Sequence, residues 1–188
     1  MSMTVSRPVS ALQSGDHACL TFASDVQQRE AVTRFVARGL AGREKVYCFA
    51  DSDPAAVPQF LRAAGVAADH AMNRGQLVVL SADDAYLPDG SFDPEAMIAR
   101  LRQLIDAAVG EGYAGFRLGA EMTWMLRSGL DAAAIASYET TASTVFSARP
   151  SSAMCHYDRR RFPAELTAAA AAAHPYVATA DPLYATRC

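Results

Sequence analysis

With 188 residues, 51% of them hydrophobic and 20% charged, the chain is long enough to bury one sizeable core and has an ordinary globular composition. A net charge of −3 and a pI near 5.8 leave no electrostatic footprint for nucleic acid. No apolar run approaches the roughly 20 residues that span a bilayer, and Met1 to Ser10 carry no charged-then-apolar secretion signal, so neither a membrane contact nor export is expected and the location expected is cytoplasmic.

Residues 1–14 show no periodicity and read as a loosely tied N-terminal segment. His17 to Phe22 is a short strand rich in branched and aromatic side chains. Ser24 fits a helix N-cap with Gln27 three positions on, and the helix that follows buries Val32, Phe35, Val36 and Leu40 before Gly42 ends it in a left-handed turn. Lys45 to Ala50 is a second strand. Asp53 and Pro54 open a helix carrying Val57, Phe60 and Leu61, which stops near Gly65. Residues 66–75 form an irregular connector before a third strand, Gln76 to Ser81, whose continuous apolar run suits burial on both faces.

A polar loop over 82–93 leads to Asp93-Pro94 and a helix with Met97, Ile98, Leu101, Leu104, Ile105 and Ala108 on its buried stripe. Strand four is placed at Tyr113 to Leu118, followed by a helical turn from Ala120 and a helix from about Asp131 to Phe146. Strand five runs from Ser151 to Tyr157. Asp158 caps a last, alanine-rich helix that ends at His174-Pro175, unless the Arg159–Arg161 run delays its start to Pro163. Tyr176 to Cys188 holds one more strand and a loose end. Strands alternating with helices at this spacing make an α/β fold: a three-layer sandwich around a mainly parallel sheet, with residues 15–180 as one domain and 181–188 as a tail.

The strand–helix–strand pattern invites a nucleotide-binding reading, and the residues refuse it. A phosphate-binding loop needs glycines whose amides wrap the phosphates and a lysine to reach them. No glycine lies between Gly15 and Gly39, and the only lysine, Lys45, falls after the first helix. A dinucleotide fingerprint fails for the same reason, and no G-x-S-x-G elbow is present. A Cys-His dyad could be assembled from Cys19 or Cys155 with His17 or His156, but the sequence neighbours Cys155 and His156 point to opposite faces of a strand and do not serve as a dyad themselves. No catalytic constellation is recognised.

His17-Ala18-Cys19, Glu121-Met122-Thr123-Trp124 and Cys155-His156-Tyr157-Asp158-Arg159-Arg160-Arg161-Phe162, in this order, resemble the MEDS domain, the methanogen/methylotroph DcmR-type sensory domain. The resemblance runs from about residue 12 to 180. It implies a RecA/KaiC-like core that has lost its phosphate-binding loop, and a sensor of small organic molecules such as hydrocarbon derivatives that signals to a protein partner.

The expected ligand pocket lies at the C-terminal ends of the strands, with His17, Cys19, Tyr47, Glu121, Trp124, Tyr138 and Tyr157 as candidate contacts. Glu121 and Trp124 would share one face if a helix began at Ala120. An internal ion pair of Glu121 with Arg117 or Arg127, and a core role for Trp124, stand beside ligand contact as readings of those two residues. Glu139 reads as a solvated acid and Asp158 as a helix cap. No cofactor is expected. A metal- or redox-responsive switch from His17, Cys19, Cys48 and Cys155 is the alternative, and a ligand-free protein-interaction scaffold the second alternative.

Overall fold

The computed structural model describes residues 5–51 and 53–180. Seven strands form one sheet: β1 (Val5–Pro8), β2 (His17–Phe22), β3 (Lys45–Ala50), β4 (Leu77–Ser81), β5 (Phe116–Glu121), β6 (Ser151–Asp158) and β7 (Tyr176–Thr179). Their order across the sheet is β1-β7-β2-β6-β5-β3-β4, and every pairing is parallel. Parallel neighbours need crossover connections, and helices supply them on both sides. Against one face lie α1 (Asp25–Ala41), α2 (Ala56–Ala63) and α3 (Ala68–Asn73). Against the other lie α4 (Ala82–Tyr86), α5 (Pro94–Gly110), α6 (Met125–Ser128), α7 (Ala132–Ser147) and α8 (Ala164–Ala173). This is a three-layer α/β sandwich of the RecA/KaiC-like kind.

Because side chains alternate along a strand, each central strand feeds both layers. Ala18, Leu20, Val46, Cys48, Ala50, Leu77 and Met154 enter the core under α1–α3. Cys19, Phe49, Phe116, Leu118, Ala120, Ala153, Cys155 and Tyr157 enter the core under α4–α8. All eight residues of β6 are buried, as expected for a central strand covered twice.

Several boundaries differ from the sequence reading, each for a local reason. The N-terminal segment is not loose: Val5–Pro8 adds β1 to β7, and Val9 and Leu12 behind it are fully buried. The α1 helix is capped as expected, with the Ser24 hydroxyl accepting from the Gln27 backbone amide at 3.3 Å and the Gln27 side-chain Oε1 accepting from the Ala23 amide at 2.9 Å. Its left-handed residue, however, is Arg43 (φ 57°), while Gly42 keeps a φ of −78°. Asp53 accepts from the Ala55 amide at 3.0 Å and α2 starts later, at Ala56.

The 66–75 connector contains α3, and the polar loop contains α4 with Ser81 as its N-cap. Strand β5 sits three residues later than its apolar run suggests, because two glycines in the segment are built into it or just before it: Gly115 packs its missing Cβ against the Pro150 carbonyl and Gly119 is a strand residue. Helix α8 begins at Ala164 behind Pro163, which removes the Arg159–Arg161 run from its first turn. The strand expected after Pro175 is β7. The tail over 181–188, including Cys188, lies outside the described residues.

Candidate functional site

The shift of β5 decides what the candidate residues can do together. Glu121 is the last residue of the strand and points to the α1–α2 side, whereas Trp124 precedes α6 and packs among the residues of the α4–α8 side. The shared helical face expected for them does not form. Trp124 is fully buried, stacked on Tyr86 (ring centroids 4.4 Å apart, 17° between planes) and tilted against Phe92 at 4.7 Å. That is a core anchor.

On the α1–α2 side, the ends of β2, β3, β5 and β6 enclose a cavity of about 340 Å3. Its walls are apolar where Phe22, Val32, Val57 and Phe60 reach it, and its floor is polar where Glu121 and His156 meet it. Gly119 opens the floor: a Cβ there would touch only Phe35, at 3.8 Å. One carboxylate oxygen of Glu121 accepts from the Asp51 amide at 3.0 Å and the other lies 3.5 Å from the Thr123 hydroxyl. His156 Nδ1 lies 3.2 Å from the Gln28 side-chain amide. Burial lowers the His156 pKa to about 4 against the opposing pull of Glu121, so the ring is neutral at pH 7.

At the rim, Asp158 accepts from the Arg160 backbone amide at 2.8 Å and from its guanidinium at 2.9 Å, and Arg160 also bonds Asp25 at 2.6 Å. Asp158 is therefore a turn-former at the end of β6 and no helix cap. The two arginines offered as partners for Glu121 have other engagements: Arg117 bonds Glu44 and lies over the Phe35 ring, and Arg127 bonds Asp51 and Asp83.

The same position after the first central strand is where a phosphate-binding loop would lie. Only Ala23 and Ser24 separate β2 from α1, the Ala23 amide is engaged with the Gln27 side chain and the Gln27 amide with the Ser24 hydroxyl, and Asp25 adds a carboxylate. Anion binding at a helix start requires unoccupied amides and no competing negative charge. Here two of those amides are taken by side chains and Asp25 supplies the competing charge.

On the opposite side, His17, Cys19, Tyr47, Cys155 and Tyr157 all face the α4–α8 layer, while Cys48 faces α1–α3. The switch built from His17, Cys19, Cys48 and Cys155 is thereby corrected, because the sheet itself separates Cys48 from the rest. In its place stands a sealed polar cluster of His17, Glu139, Cys155 and His174, whose potential ligand atoms all lie within 4.8 Å of one another. Glu139 is 0% exposed, so it is no solvated acid. Tyr157 donates to one of its oxygens, and Cys155 Sγ lies 3.8 Å from the other.

Burial moves Cys155, Glu139 and His17 toward their neutral forms. It pushes the Cys155 thiol far up, with Glu139 adding to the effect, and raises Glu139, against the pull of His174 and the Tyr157 hydroxyl. It also carries His17 far down, with His174 contributing. Cys19, Cys48 and Cys155 are all buried and unbridged, and burial raises the Cys19 and Cys48 thiols as well. Tyr47 packs on Phe116 at 5.3 Å, and Tyr138 packs on Phe92 at 5.1 Å beside a groove between α5 and α7.

Sequence reasoning missed Glu139, His174 and His156. A signal for Glu139 existed, since Ile135, Tyr138, Glu139, Ala142, Val145 and Phe146 make one continuous buried stripe at helical spacing. His174 was masked by its second task of ending α8 before Pro175. Nothing in the residues separated His156 from its neighbour Cys155 except which face of β6 each takes.

A RecA/KaiC-like α/β sandwich with a cavity at its strand ends and a self-capped helix start after the first central strand defines the class of protein by its fold. The chain matches the family of MEthanogen/methylotroph, DcmR Sensory (MEDS) domains over residues 16–175, and it belongs to that family. Members are non-catalytic sensory domains. No curated protein matches the sequence. Among the described residues no helix is long and apolar enough to cross a membrane.

Proposed function

We propose that residues 15–180 act as a sensor of a small, largely apolar organic molecule carrying one or two hydrogen-bonding groups. The molecule sits in the cavity over Gly119, and occupancy is passed to a signalling protein. The observation that carries this reading is the pairing of open space with buried polar groups: Glu121 and neutral His156 border a void that Gly119 leaves unfilled. Binding pockets combine an apolar lining for affinity with a few fixed polar groups for orientation, in volumes from a few hundred Å3 upward. The volume suits short alcohols, amides and comparable hydrocarbon derivatives.

The test is a thermal-shift screen of short alcohols, amides and halogenated hydrocarbons on the wild type and on Gly119→Val. The added Cβ meets only the Phe35 ring, at 3.8 Å, so the variant's own melting temperature stays within a few degrees of wild type. Compounds that stabilise the wild type lose at least tenfold in affinity on the variant. Equal stabilisation of both proteins, or no stabilisation of the wild type by any compound, removes the proposal.

A further inference from the structure

The sealed cluster on the other face has a hydrogen-bond arrangement that fixes which lone pairs point inward. The Ser143 hydroxyl donates its single proton to the Glu139 carbonyl at 2.9 Å, so toward His17 Nδ1, 2.8 Å away, it accepts. His17 therefore carries its proton on Nδ1 and turns a bare Nε2 to the cluster. His174 Nδ1 lies 2.7 Å from the Ala170 carbonyl, which only accepts, so His174 also keeps Nδ1 protonated. Its Nε2 is buried without a hydrogen-bond partner among the described residues. Two imidazole lone pairs, a thiol and a carboxylate thus converge in a dry pocket whose outer hydrogen bonds hold both rings in the orientation seen around protein-bound metals.

The distances fit an ion. A tetrahedral centre with bonds of about 2.0–2.3 Å separates its ligand atoms by about 3.3–3.8 Å. His17 Nε2 lies 3.3 Å from Cys155 Sγ and 3.5 Å from the nearer Glu139 oxygen. That oxygen lies 3.4 Å from His174 Nε2 and 3.8 Å from Cys155 Sγ. Four of the six edges of the tetrahedron are therefore already in range, and the remaining two are no longer than 4.8 Å. Without an ion, Tyr157 donates to one Glu139 oxygen and the Cys155 thiol lies nearest His17 Nε2, so His174 Nε2 has no donor unless the other Glu139 oxygen, 3.4 Å away, carries a proton.

We propose that His17, Glu139, Cys155 and His174 bind one zinc-class divalent ion, which ties α7 and the end of α8 to strands β2 and β6. Binding releases the Cys155 proton, and any proton on Glu139, to solvent. Two neutral imidazoles, a thiolate and a carboxylate then cancel the double positive charge, which is the condition for burying it. Cys19 is the in-register neighbour of Cys155 on β2 and lies outside the set. The site is separated by the sheet from the cavity over Gly119, so the two proposals stand independently.

The whole chain is unfolded in denaturant with a chelator, and then refolded with Co2+ as the probe, with Zn2+ and with no metal. The expected result is one equivalent of Co2+ with a thiolate-to-metal charge-transfer band and the intense visible bands of tetrahedral cobalt, displaced by Zn2+. Cys155→Ser loses the charge-transfer band, Cys19→Ser keeps it, and Gly119→Val leaves the titration unchanged. The proposal is overturned if the refolded wild type melts cooperatively yet takes up no stoichiometric Co2+ or Zn2+. It is equally overturned if the band survives Cys155→Ser or disappears in Cys19→Ser. The wild-type titration decides the matter even where a ligand variant does not fold.

Discussion

Both faces of the sheet bury a glutamate beside histidine, yet the two arrangements have opposite consequences. Glu121 and His156, under α1 and α2, border a void and keep neighbours that a ligand can supplement. Glu139, His17 and His174, under α7 and α8, are enclosed by one another, Cys155, Tyr157, Ser143, the Ala170 carbonyl and packed rings. Buried polar groups cost free energy unless satisfied, and in the proposed reading a ligand that comes and goes adds to the first set. The second set is completed once, as part of the folded state. Residue type alone does not separate a sensing site from an internal fastening. Space beside the residue does.

The largest effect that tests this division is on the sealed side. Trp124→Ala removes a fully buried indole from its stack on Tyr86 and Phe92, and should cost about 3–5 kcal/mol of stability in denaturant unfolding. Any compound that stabilises the wild type should still shift the melting of this variant by a similar increment. Loss of that increment, with stability reduced by less than about 1 kcal/mol, would return Trp124 to the ligand site and erase the contrast between the faces.

A smaller effect distinguishes two glycines on the open side. A Cβ on Gly39 would come within 2.5 Å of Arg117 Cδ and 2.8 Å of a Val46 methyl, where α1 packs on the buried guanidinium stem. Gly39→Ala should therefore lose about 1–2 kcal/mol, the overpacking cost outweighing the better helix propensity of alanine. Gly119→Ala, with only Phe35 at contact distance, should change stability by less than about 0.5 kcal/mol. Equal and large losses at both positions would mean that the floor over β5 is packed and holds no ligand space.

Much of this was legible in the residues. Periodicity and turn chemistry located β2, β3, β4, β6, α1, α5 and α7 closely, because each is a run of matched propensity with a cap or a breaker at its end. The missing glycines between Gly15 and Gly39 already spoke against a phosphate-binding loop of the glycine-rich kind. What stayed hidden depends on the third dimension. The three-residue displacement of β5 reverses the meaning of Glu121, since it becomes a strand end opposite Trp124 instead of a helical neighbour. Gly115 gave no warning, because its close approach to the Pro150 carbonyl is a tertiary contact. Likewise β1 exists only because β7, far along the chain, offers it an edge. The sealed cluster draws on β2, α7, β6 and the end of α8, and no local spacing connects His17 to His174.

The smallest effect concerns the place where phosphate would have been bound. At the start of α1 the Ser24 hydroxyl occupies the Gln27 amide and Gln27 in turn occupies the Ala23 amide, so the helix end is finished by its own side chains. Ser24→Ala exposes that amide and should cost about 1 kcal/mol. If the site retained any capacity for anions, added inorganic phosphate would restore the loss by taking the place of the hydroxyl. Asp25 beside it, and Asp158 beyond the Arg160 bridge, argue that it does not. Unfolding of Ser24→Ala with and without phosphate, at constant ionic strength, should therefore give coincident curves. Selective rescue by phosphate would show that the ancestral binding surface persists beneath the cap.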